Sequence, residues 1–136
     1  MELKDIGYGM AVEVPLPYEQ AVERAREELA KEGFGVLTEI DVKATLKKKL
    51  DVDFRPYIIL GACNPPLAHQ ALSAVPDIGL LLPCNVIVYA TDDPKRSLVA
   101  AIDPVPQLAL TGNADIGPVA EQVRGKMTRV LEGLAS

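Results

Sequence analysis

Apolar and polar positions change their period along the chain, and each change predicts an element. Ile6, Tyr8, Met10, Val12 and Val14 alternate with Gly7, Gly9, Ala11 and Glu13, the period of two expected of a strand. Pro15 and Pro17 end it. Tyr18, Ala21, Val22, Ala25 and Leu29 then recur at helical spacing, with Glu19 in the first turn and Gly33 as the stop. A second strand is predicted over residues 35–42, with Val36, Thr38, Ile40 and Val42 on one face, and Asp41 is placed to cap a short helix through Leu50. A third strand over residues 57–63 runs into "GACNPPLAH", where Asn64 suits an N-cap and Pro65 the first helical position. Leu67, Ala68, Ala71, Leu72 and Val75 form the apolar stripe of that helix, and Pro76, Asp77 and Gly79 close it. A fourth strand over residues 84–90, a turn at Asp92–Asp93–Pro94 and a fifth strand over residues 98–103 follow. After a proline-broken connection, Val119, Val123, Met127, Val130, Leu131 and Leu134 mark the face of a last helix.

Strands three to five are apolar on both faces, so both faces need cover. Two long helices suffice for one face. The short helix before Leu50 and a partner subunit are the candidates for the other.

Composition narrows the function classes. A chain of 136 residues fits a single domain, 1–136, with no repeat or linker. A net charge of −5 argues against binding nucleic acid through its phosphates, and the six aromatics are too scattered for base stacking. The start "MELKDIGYGM" lacks a basic region followed by an apolar core, so no signal peptide is expected there, and no apolar run approaches the ~20 residues of a membrane helix. The expected location is the cytoplasm, where Cys63 and Cys84 stay reduced.

The runs "VLTEIDVKATLKKKL", "YIILGACNPPLAHQAL", "LLPCNVIVY" and "IDP", in this order and spacing, resemble the bacterial and archaeal family catalogued as domain of unknown function 302. The resemblance spans nearly the whole chain. It implies an α+β fold of β-α-β(4)-α type, TATA-binding-protein-like, with an extra helix inserted between strands three and four, and homodimers. It implies no activity and no cofactor, so it transfers fold rather than chemistry. A doubly wound parallel sheet is the second choice of fold.

If strands two to five form an antiparallel meander, the end of strand three lies beside the start of strand four. Cys63 and Cys84, each followed by an asparagine (Asn64 and Asn85), then meet at one end of the sheet, with His69 about one and a half turns into the intervening helix. Cys63, Cys84 and His69 would form a zinc or copper(I) set, although no CxxC pair is present. The blander alternative is two small core cysteines and a surface histidine. Thiol chemistry draws on Cys63 at a helix N-terminus, whose dipole favours an anionic sulfur. A phosphatase-like loop is argued against by Pro65 and Pro66, which remove two backbone donors, and by the lack of arginine at position 69. Hydrolytic triads fail because His69 is the only imidazole and no serine has a nucleophile-elbow context. Lys47, Lys48 and Lys49 are ordinarily a solvated helix face; the resemblance adds an anion-contacting role for Lys49.

The expectation is a cytoplasmic homodimer that binds a small molecule or metal through the Cys63–His69 corner, Asn64, Cys84, Asn85 and Lys49. A thiol-dependent redox or sulfur-transfer enzyme and a purely structural dimer are the alternatives. Whether the chain is an enzyme, and with what cofactor, stays open.

Overall fold

The computed structural model describes residues 2–135. In chain order its elements are β1 (Lys4–Asp5), β2 (Gly9–Val14), α1 (Tyr18–Lys31), β3 (Gly35–Asp41), α2 (Val42–Leu50), β4 (Tyr57–Cys63), α3 (Pro65–Ala74), a 3-10 turn (Pro76–Leu81), β5 (Cys84–Ala90), β6 (Ser97–Ile102), α4 (Pro104–Leu108), a second 3-10 turn (Ala109–Thr111) and α5 (Ile116–Ala135). The expected α+β class is borne out. The strands form one antiparallel sheet in the order β1-β2-β6-β5-β4-β3, so β3 to β6 make the expected meander. The helix between β4 and β5 is in place.

Strand alternation sorts the side chains into two faces. Val12, Val99, Val88 and Ile58 stand opposite one another across four strands, and Val86 pairs with both Ala101 and Leu60. All are buried beneath α1 and α5, which pack on each other and on the sheet. Ala21, Ala25 and Leu29 of α1 meet the row of Val119, Val123, Met127, Val130, Leu131 and Leu134 of α5 in that core. Glu28 is buried among them; burial alone would raise its carboxyl, but hydrogen bonds from Lys31 and Arg24 outweigh that and hold it below its usual range.

The other face carries Ile40, Ile59 and Ile87 in one row and Tyr57, Tyr89 and Leu98 in the next. Helix α2 touches β3 and β4 but buries none of its own residues, and Tyr57, Ile59, Ile87, Tyr89 and Leu98 of this face stay half-buried.

Several elements differ from expectation. The first strand breaks at Gly7, whose φ of 92° allows a tight turn, and residues 4–5 fold back on Met10 and Ala11 as a separate short strand. Asp5 Oδ1 accepts from the Gly7 N–H at 2.7 Å and holds the turn. In β3 a bulge between Val36 and Thr38 shifts the register: Val36 faces Ala62 and Thr38 faces Gly61, adjacent residues on opposite faces. The expected single row from Val36 to Val42 is therefore split, and Val42 already belongs to α2. The proline-broken connection contains α4, which Asp103 caps by accepting from the Val105 N–H at 3.0 Å.

Candidate functional site

The corner "GACNPPLAH" is built by a cap and two prolines. The Asn64 Oδ1 accepts from the Leu67 N–H at 3.4 Å, while its Nδ2 donates to the Glu32 carbonyl at 3.3 Å. One side chain thus starts α3 and ties it to the end of α1. Pro65 and Pro66 occupy the first helical positions, where a missing N–H costs nothing.

Beneath this corner lies a cavity of about 300 Å³. Phe34, Leu67, Leu82, Leu108, Val119 and Val123 supply much of its wall, and Cys63, Asn64 and Cys84 complete the side formed by the sheet end. Among the described residues, none that lines it is charged. It exists because small side chains stand where larger ones would fill the space: Ala62 on β4, and Ala68 and Ala71 on α3.

The two cysteines are free and both line this cavity, but they are not equivalent. Cys84 stands opposite Ala62 on the helix-covered face and is buried. Burial pushes its thiol up to about 11, and the nearby Cys63 adds to the shift. Cys63 is half-buried and follows Ala62, so alternation assigns it to the other row of β4.

His69, Asn85 and Lys49 stand apart from this cavity. His69 is exposed on α3 and lies two residues from each of the inward-facing Leu67 and Ala71. At ~100° per residue those offsets turn it to the opposite side of the helix. Among the described residues, no group of three or more His, Cys, Asp or Glu side chains is placed to hold a metal ion. The set Cys63–Cys84–His69 is therefore not assembled. Asn85 pairs with Gly61 on the open sheet face and is exposed, and Lys49 is exposed on α2.

Leu72, Leu82 and Leu108 of the wall escaped the sequence reading of a site. Their apolar character reads as core in any sequence; the available signal was the run of small residues Ala62, Ala68 and Ala71 facing them.

A second cluster sits on the open face. The Tyr57 and Tyr89 rings stack at 5.3 Å, Phe54 lies 6.2 Å from Tyr57, and the Arg55 guanidinium is 5.8 Å from the Tyr89 ring centre. Burial, then Tyr89 and Tyr8, hold the Tyr57 hydroxyl above its ordinary value.

The family described as Domain of unknown function DUF302 matches residues 10–134. The chain belongs to that family. Among solved structures, the DUF302 chain is similar to the uncharacterized conserved protein DUF302 from Bacillus stearothermophilus, with a TM-score of 0.86 and 26% identity over 94% of this chain and 98% of that one. No curated protein matches it. Among the described residues, no helix is long and apolar enough to cross a membrane.

Proposed function

We propose that this DUF302 protein is a binding module for a small molecule, held in the cavity beneath the Asn64 corner, and that it works as a homodimer in the cytoplasm. The observation that carries the binding reading is the cavity itself: about 300 Å³, concave, with apolar walls, at the low end of the size of ligand sites. The stiff, capped corner supports it, because walls ordered before binding lower its entropic cost. Thiol-dependent redox or sulfur transfer is the weaker reading. It would rest on the half-buried Cys63, because burial pushes the Cys84 thiol up and a thiol is a much poorer nucleophile than a thiolate.

The homodimer is supported by the open face, where Ile59, Ile87, Tyr57 and Tyr89 form an apolar and aromatic patch that stays half-buried beside α2. Two copies placed face to face would bury at least ~1,200 Å² in total, the lower bound of a specific interface.

Native mass spectrometry of freshly isolated protein tests the binding reading. A retained molecule that is absent from Ala71→Leu, a variant that fills the cavity, is the expected result. Identical spectra for both proteins, together with no ligand-induced thermal shift, would refute the reading.

A further inference from the structure

The cavity's own chemistry narrows its occupant. Among the described residues, the amide of Asn64 is the sole side-chain amide on its wall, and both ends are engaged, Oδ1 by the Leu67 N–H and Nδ2 by the Glu32 carbonyl. Cys63 and Cys84 offer only weak S–H donors and soft, polarizable surface. An ion entering here would give up its hydration and find neither a counter-charge nor a free amide. Water fares poorly as well, since it needs two to four polar partners and apolar cavities stay dry.

Size sets a second bound. At ~30 Å³ per water the cavity holds roughly ten water volumes, which corresponds to a ligand of about ten to fifteen non-hydrogen atoms. The rim sets a third. Leu37 and Leu72 both line the cavity and are 67% and 40% exposed, and Leu80, beside the lining Gly79, is 90% exposed. The cavity thus meets solvent at leucines rather than at a polar gate.

From these three observations we infer that the cavity takes an uncharged, largely hydrocarbon molecule of about ten to fifteen non-hydrogen atoms, admitted past Leu37 and Leu72, and discriminates against the carboxylate of the same chain length. This rests on the binding reading proposed above and gives it a ligand class. The hydrocarbon fills apolar space that water occupies poorly, whereas a carboxylate buried there has no partner.

Titration calorimetry and thermal shift with 1-decanol and with decanoate test it on the full chain. The expected result is saturable binding of 1-decanol that Ala71→Leu abolishes, and binding of decanoate at least ~100-fold weaker, as an unpaired buried charge requires. Should Ala71→Leu fail to fold, Ala68→Leu fills the same cavity from the same helix. Equal affinity for decanoate, or binding of zinc that the filling variant removes, would overturn the ligand class and leave a binding cavity standing. Decanol binding that survives both filling variants would place the ligand elsewhere and overturn the inference. Failure of 1-decanol to bind the parent protein would overturn this class, and the binding reading falls with it when native mass spectrometry also shows identical spectra for the parent and Ala71→Leu.

Discussion

At the scale of single residues, the corner rests on Asn64, Gly61 and the two thiols. Asn64→Ala removes the cap of α3 and leaves the Glu32 carbonyl without its side-chain donor, so a loss of about 1–2 kcal/mol is expected in denaturant melts. Cys63→Ser is nearly isosteric and should leave stability within about 0.5 kcal/mol while changing ligand retention, which would separate a wall residue from a cap. Gly61 is needed for space: a Cβ there would run into Thr38 Oγ1 and into Pro83, 2.8 Å away. Gly61→Ala is expected to cost about 1–3 kcal/mol, and Thr38→Ala should recover part of it in the double variant. The sign of the alkaline response follows from Cys84. Its folded value, about 11, lies above the ordinary 9.0, so the unfolded thiol ionises first as pH rises. The stability tied to this group is complete below pH 9 and is lost as pH climbs towards 11; Cys84→Ala should flatten that part of the stability–pH curve by an amount on the order of 2 kcal/mol.

At the scale of elements, α2 contrasts with α3. Helix α3 buries Leu67 and Ala71, whereas α2 buries nothing and is held by contacts with β3, with β4 and with the loop that follows it. Asp41 Oδ1 accepts from the Ala44 N–H at 2.9 Å, Lys43 Nζ donates to the Phe54 carbonyl at 3.0 Å, and Lys47 pairs with Asp51. Such a helix opens with little effect on the core. Asp41→Ala should therefore speed amide exchange across residues 42–50 while the global melt moves by less than about 1 kcal/mol, read by hydrogen exchange and calorimetry on one sample. A large global loss would mean that the contacts of α2 with β3 and β4 support the sheet.

At the scale of the whole molecule, the covered and open faces of one sheet ask for different partners. The inner face is satisfied by α1 and α5 within the chain. The outer face, with Ile59 and Ile87 directly opposite one another, is the surface assigned to the second copy. Ile59→Glu would set a charge at its centre and, by a two-fold axis, bring like charges towards each other. Light scattering should then report a monomer for the variant and a dimer for the parent protein at micromolar concentration. A parent monomer would end the proposal. The cavity lies on the helix-covered side, so the monomeric variant is expected to keep its ligand.

Much of the fold was legible because local chemistry and period agree along the chain. Asn64 before two prolines reads as a helix start, Asp41 as a cap, and residues 57–63, 84–90 and 98–103 as strands, since each depends on neighbours within a few residues. The Val36–Thr38 bulge was not legible, because register is set by the partner strand; the Gly7 turn, although local, was hidden by the alternation of Ile6, Tyr8 and Met10 that runs through it. The candidate site divides in the same way. That Cys63 and Cys84 reach one end of the sheet followed from their positions at the ends of consecutive strands. That His69 turns away was decided by which side of α3 packs inward. The cavity is the feature that only tertiary structure could make, because an empty volume is a property of elements far apart in sequence. Ala62, Ala68 and Ala71 are too small, and Leu108, Val119 and Val123 too distant, to fill the gap between them.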